Sequence, residues 1–456
     1  MSGLAGGKSK GMPLHTKIIL GLIIGAALGI VANIQLGPTH PVVENVEKYL
    51  ANPVGQIFLN LLFMIVIPLV FASISLGVAG LGDLRQVGRV GSKTIAYFLV
   101  TTALSATVGL ILVRVIEPGA ALPEGMRTEL LAAYSSDAAS KMQVAATSTF
   151  GVQTLINIVT RNPVKSAVDL DLLGIIFFGL MVGAALTMIR KEKAAPMIAW
   201  LEALNEIVIK IVEMAMKLAP YGVAGLIFGV TSRFGFALLK PLGSYILVVV
   251  LGLLIHVVVT ISLIIRFGVG MSPLKFFSRI RASIATAFST SSSSATLPTN
   301  LAVAEQNLGV PSHIAGFVLP LGSTMCMNGT SLFEGVTVLF LSQVFGLHLS
   351  LGSMIIVMVM VVITAVGAAG VPGGSIPLLI GVLVMFGIPA EGIAIILGVD
   401  RILDMSRTTV NIIGDMSATA WIARTEGVWT AAQVPEIEGL DVSTADLDET
   451  PVGTAG

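Results

Sequence analysis

Charge is what this chain has least of. Only 11% of its 456 residues are charged, against 55% hydrophobic, and mean hydropathy is +0.93. A soluble domain carries about a quarter charged residues, so this composition excludes one and points to an integral membrane protein. Apolar runs of about 20 residues recur, which excludes the alternating pattern of a membrane β-barrel. Net charge is +0, which gives no pull toward nucleic acid or another polyanion. Cysteine occurs once, at Cys326, which excludes an internal disulfide and a cysteine-cluster metal site. His15, His40, His256, His313 and His348 are scattered singly and form no zinc motif, so surface or packing roles are expected. No resident cofactor is expected.

What is present is a series of spans. Residues 1–16 make a polar, cytoplasmic start with Lys8 and Lys10. Spans are expected at Lys17–Ala32, at Val54–Leu76 with a kink at Pro68, and at Thr94–Ile116. Further spans follow at Leu172–Ile189, at Pro196–Phe228 with an interruption near Pro220, and at Leu239–Ile265. The segment 77–93 is read as a loop with Arg85, Arg89 and Lys93, and 117–171 as a long extracytoplasmic region. Basic residues cluster at the start and after the second, fourth and sixth spans, which places those ends in the cytoplasm. From Gln433 the tail is acidic and solvated.

After the sixth span the texture changes. FSTSSSSATLP (288–298), LPLGSTMCMNGTSLF (319–333) and VGAAGVPGGSIP (366–377) break apolar segments with small polar residues. Irregular backbone at membrane depth is tolerated only where it is buried in protein or lines a cavity. Two matching halves, Phe277–Leu347 and Leu351–Ala423, each begin with a broken segment and end with a polar-bearing helix, a pointer to a transport site. In the last helix, Ile395–Ala423, Asp400, Asp404, Arg407, Asn411 and Asp415 fall within roughly 80° of one face at about 100° per residue. Ionised groups at that depth face a protein interior or a wet cavity. They mark a polar site for a charged solute or ions. Internal salt bridges that lock helices together are the alternative.

SSSSATLP (291–298), MNGT (327–330), GVPGG (370–374) and DRILDMSRTTVNIIGD (400–415) resemble the dicarboxylate/amino acid:cation symporters, which include the excitatory amino acid transporters. The likeness covers nearly the whole chain. It implies an all-α membrane protein of eight transmembrane helices and two re-entrant hairpins, with inverted repeats, assembled as a homotrimer. Within 17–265, helices 1, 2, 4 and 5 would form a scaffold. Helices 3 and 6 would join the 266–425 core (hairpin 1, helix 7, hairpin 2, helix 8) as an elevator-type transport domain, with 426–456 as a cytoplasmic tail. A bacterial inner membrane, lipid contact and cytoplasmic termini go with that likeness.

The resemblance also assigns roles. Asp404 would bind a substrate ammonium, Asn411 would both accept and donate, and Arg407 would take a second carboxylate, favouring glutamate or aspartate. Ser292, Ser293 and Ser294 would hold a carboxylate at the first hairpin tip. Gly370, Val371, Pro372, Gly373 and Gly374 would form the second tip, the extracellular gate, with Val371 and Gly374 toward the substrate and Thr330 and Thr408 as further substrate contacts. Sodium would be held by oxygen ligands from Thr101, Thr102, Thr324, Asn328, Asn411 and Asp415. The chain departs from the family pattern at Cys326 and Asn328, where an amide and a carboxylate are usual, at Phe98 for tyrosine, and at Arg401 and Ser375. Cys326, Asn328 and Phe98 weaken the case for full sodium coupling, and Glu334, which stands where some members carry a protonatable glutamate, is a candidate proton carrier. A cation-coupled symporter with Na+ and/or H+ is the leading reading. A C4-dicarboxylate or neutral amino acid carrier, a channel, and an intramembrane serine enzyme are its rivals; the last lacks a base near the serines.

Overall fold

The computed structural model describes residues 12, 14–120, 122, 159–168, 172–366, 368 and 370–435. The polar start, most of the 117–171 region and the tail from 436 lie outside the described residues. Helices dominate and no strand occurs among the described residues, as expected where a bilayer leaves backbone groups only each other to pair with. Among the described residues, five helical stretches are long and apolar enough to span: Thr16–Gln35, Pro41–Ala79, Arg89–Ile116, Lys191–Phe234 and Lys240–Val269. Gly174–Met188, Leu351–Ala365 and Ile376–Met385 are shorter apolar helices.

The first half of the chain forms α1 (Leu14–Gln35), α2 (Asn52–Met64), α3 (Val66–Val87), α4 (Arg89–Ile116), α5 (Leu172–Met188), α6 (Lys191–Phe234) and α7 (Leu239–Ile255). Three expectations are corrected here. The second span breaks at Ile65 rather than bending at Pro68, because Pro68 sits in the first turn of α3, where its missing N–H costs nothing. The 77–93 segment is helical on both sides of Gly88, whose φ of 63° turns the chain between α3 and α4. The fifth span is not interrupted at Pro220. Its 44-residue helix carries Pro196 and Pro220 inside it, and α1 packs directly against the backbone at Pro220. That contact rests on Gly21, Gly25 and Gly29. A Cβ on these residues would meet Pro220 O at 2.2 Å, Ala224 O at 2.4 Å and Thr231 Oγ1 at 2.0 Å. Small residues four apart let two helix backbones touch where lipid offers no hydrophobic drive. The other side of α1 (Ile23, Ile24, Leu28, Val31, Ile34) is exposed and apolar, a face suited to lipid.

The second half is built of broken pieces. α8 (Arg281–Thr290) and α9 (Ser293–Ala302) form one hairpin, and α12 (Leu351–Val366) and α13 (Ile376–Met385) form another. Between them α10 (Ser312–Met325) and α11 (Asn328–Val344) are one helix interrupted at Cys326 and Met327. α14 (Ala394–Thr425) runs through the middle, packed on α7, α8, α10 and α11. Its C-terminal half sits in a core with Phe98, Phe276, Val318 and Leu319, to which it contributes Ile412 and Met416.

Candidate functional site

α14 is the axis of the site. Asp400, Asp404, Arg407, Asn411 and Asp415 are each 4% exposed or less, so the polar face of this helix points inward throughout. The Arg407 Nη1 lies 2.8 Å from Asp400 Oδ1, and its Nη2 and Nε lie 2.9 and 3.1 Å from Asp404 Oδ1. Its guanidinium carbon stands 4.2 Å from the centre of the Phe333 ring, a cation–π contact. Asp404 Oδ2 accepts the Gly373 N–H at 3.1 Å and faces Arg401 Nη1 at 3.4 Å. The internal pairing is therefore real, and it engages the same atoms that a zwitterion would need.

The two hairpin tips meet over this network. α8 ends at Ser291, whose φ of 52° is the left-handed turn that reverses the chain into α9. Ser292 then caps α9: its Oγ accepts the Ala295 N–H at 3.1 Å and donates to Gly370 O at 2.6 Å. The Ser294 N–H reaches the same carbonyl at 3.2 Å. One serine thus caps its own helix and fastens the opposite tip.

α11 begins at Asn328 with no side-chain cap of its own. α14 supplies one. Asn411 Oδ1 accepts the Gly329 and Thr330 N–H groups at 2.7 and 3.4 Å, and its Nδ2 donates to Thr330 Oγ1 at 3.1 Å. The first N–H groups of a helix lack intrahelical partners, so a neighbour's amide is an adequate substitute. The approach needs Gly329, where a Cβ would lie 2.3 Å from Arg407 O.

A cavity of about 20 Å³, enough for one water molecule, lies between tips and network. Of the expected substrate residues, Ser293, Thr330, Val371, Asp404, Arg407, Thr408 and Asn411 line it. Ser292 sits at the tip junction, Ser294 is exposed, and Gly374 does not line the cavity. Sequence reasoning placed Gly373 in the second tip but missed the contact of its N–H with Asp404, and it missed the Phe333 ring. Neither carries a sequence signal, since any residue but proline offers an N–H and one buried aromatic reads like another. Ser291 and Ser375 also line the cavity.

The expected cation residues divide. Thr102 Oγ1 donates to Asn328 Oδ1 at 3.0 Å, and Ser105 Oγ to Asn328 O at 2.7 Å. Asp415 is fully buried, with no N–H or O–H donor on either oxygen and the Cys326 thiol as its polar neighbour. A Cβ on Gly414 would meet Asn328 Nδ2 at 2.7 Å and Cys326 Sγ at 2.9 Å, so these groups crowd one spot beside Asp415. Thr101 bonds back to its own helix at Tyr97 O and Phe98 O, and Thr324 is exposed and bonded to Leu321 O. Glu334 is buried on α11; its Oε2 accepts from Thr364 Oγ1 at 2.9 Å and its Oε1 has no partner. No group of three or more His, Cys, Asp or Glu positioned for a metal occurs among the described residues.

A bundle of apolar helices that buries a balanced ion network beneath two touching hairpin tips is the architecture of a membrane transport protein. The model of the sodium:dicarboxylate symporter family matches residues 14–425, and the chain belongs to that family; it is a symporter and not an enzyme. It is similar to the proton/sodium-glutamate symport protein of Bacillus subtilis (34% identical over 428 residues, 93% of this chain and 95% of the relative). It is also similar to the proton/glutamate-aspartate symporter of Escherichia coli (33% over 414 residues, 91% and 93%). The C4-dicarboxylate transport protein of Anaeromyxobacter dehalogenans is 31% identical over 455 residues, 97% of each chain.

Proposed function

We propose that the chain carries an acidic amino acid, glutamate or aspartate, into the cell with Na+ and/or H+. The observation that carries this reading is the pairing of opposite charges at one buried point: Asp404 and Arg407 lie 2.9 Å apart beneath the joined tips. An ammonium inserted there takes Asp404, and a carboxylate takes Arg407. The Ser292–Ser294 tip, Thr330, Val371, Thr408 and Asn411 then complete the substrate shell. Gly373 replaces Gly374 as the second tip's direct link to it. Thr102, Asn328 and Asp415 are the cation ligands that geometry favours, with hard oxygens for a hard cation. Thr101 and Thr324 reach a cation only if their side chains leave their own helices' carbonyls. Glu334 is the proposed proton carrier.

The further parts of the reading follow the family likeness. Eight transmembrane helices and two re-entrant hairpins assemble as a homotrimer in the bacterial inner membrane, with both termini cytoplasmic. Residues 266–425, with helices 3 and 6, slide as an elevator against the scaffold. A C4-dicarboxylate is the second reading, favoured by the name of the Anaeromyxobacter relative. Asp404 weighs against it, because a carboxylate has no partner on a dianion.

The test is aspartate uptake by purified protein in liposomes, driven by an imposed sodium gradient at constant pH or by a proton gradient without sodium. Uptake under either supports the substrate assignment and names the ion. Uptake of succinate but not aspartate under both would replace the reading with the second one.

A further inference from the structure

Arg401 has no role in the site so far. It follows Asp400 directly and precedes Asp404 by three residues, one turn of α14, which turns it toward the same carboxylate. It is only 8% exposed. Its Nη1 stands 3.4 Å from Asp404 Oδ2, the longest ion pair of the network, and its Nε is buried with no partner. The oxygen it faces also holds the second tip through the Gly373 N–H.

Counting formal charges explains why a second guanidinium belongs here. Asp400 and Asp404 carry two negative charges. Arg407 is shared between them, at 2.8 Å from one and 2.9 Å from the other, and supplies one positive charge. Without Arg401 the network would be left with one uncompensated carboxylate whenever the tips close without a solute. Burying such a charge is costly. With Arg401 the sum is zero. A guanidinium N–H offers Asp404 Oδ2 the same charge and the same kind of donor as an alkylammonium.

We propose that Arg401 is an internal stand-in for the solute's ammonium: it neutralises Asp404 so that the unloaded site can close, and it yields that carboxylate when an amino acid enters. The proposal rests on the reading of Asp404 as the ammonium partner. The geometry suits a group that must yield, since Arg401 makes one long contact and leaves its Nε unused, while Arg407 is held by two carboxylates and lies over the Phe333 ring. In transport terms, Arg401 serves the return of the empty carrier. It is a positioning residue and does not touch the solute.

Two fluxes separate this role from a structural lock. Net aspartate uptake into vesicles without internal aspartate needs the unloaded return; exchange of labelled for unlabelled aspartate does not. For Arg401→Gln in liposomes we expect net uptake to fall at least about tenfold while exchange stays within about threefold and apparent affinity tightens, because an internal competitor for a buried carboxylate is gone. Arg401→Lys, which keeps the charge, should hold the wild-type ratio of net uptake to exchange, and it can be read even if the glutamine variant does not fold. Net uptake and exchange falling in parallel in Arg401→Gln, or net uptake lost with exchange intact in Arg401→Lys, would overturn the proposal. Wild-type protein that neither takes up nor exchanges aspartate would instead reject the reading of Asp404 on which it depends.

Discussion

Replacing Asp404 by asparagine removes one charge and almost no volume, which makes it a sharp probe of what the network recognises. In the wild type Asp404 faces Arg407 at 2.9 Å, Arg401 at 3.4 Å and the Gly373 N–H at 3.1 Å. An ammonium held by a carboxylate gains a charge-assisted hydrogen bond worth about 1.5–3 kcal/mol. Its loss corresponds to a Kd raised about 10- to 150-fold for aspartate. Succinate, which has two carboxylates and no ammonium, loses nothing from this change and meets an Arg407 guanidinium opposed by Asp400 alone. Asp404→Asn should therefore weaken aspartate binding by that factor and leave succinate binding equal or stronger. Calorimetric titration of the purified protein with both ligands reads this directly. Equal weakening of both would show that Asp404 serves only to hold Arg407, and the assignment of the ammonium would fall.

Gly329→Ala should lower stability by about 1–3 kcal/mol and weaken aspartate binding, because the added Cβ would lie 2.3 Å from Arg407 O, backbone against backbone. A melting curve and affinity like the wild type's would refute the close approach. Glu334→Gln should remove the dependence of uptake on external pH, measured from pH 5 to 8 in liposomes; an unchanged pH profile sinks the proton-carrier role. Just past the end of α14, hydrogen bonds from Arg89 and then Lys93 hold the Glu426 carboxyl below its usual 4.5. Its pairing therefore stabilises the protein fully above that pH and is lost as pH falls through the lowered value. Glu426→Gln should melt earlier than the wild type at pH 7, with the gap closing below about pH 4; a gap that persists in acid would contradict the ion pair.

The polar face of the last helix was readable in the sequence because periodicity alone puts Asp400, Asp404, Arg407, Asn411 and Asp415 on one side, and all are buried. The broken segments were readable for a similar reason, since serine and glycine runs cannot continue an apolar helix. The closure contacts were not. Ser292 binding Gly370 O and Gly373 N–H binding Asp404 join residues 78 and 31 positions apart through backbone groups that any residue but proline possesses. Proline misled twice. Pro68 and Pro220 look alike in sequence, yet one opens a helix beside a break at Ile65 and the other lies inside a continuous rod supported by α1. A neighbouring helix decides between those outcomes, and no local pattern reports it.

The glycine seam between α1 and α6 also bears on how the chain is made. Gly21 meets Pro220, a partner 199 positions later. Ribosomes add about 5–20 residues per second, so the first helix waits on the order of 10–40 s in the bilayer before its partner exists. During that wait its three glycines expose a strip of bare backbone to whatever lies alongside. The newborn protein therefore depends on whatever shields that strip until the long rod arrives.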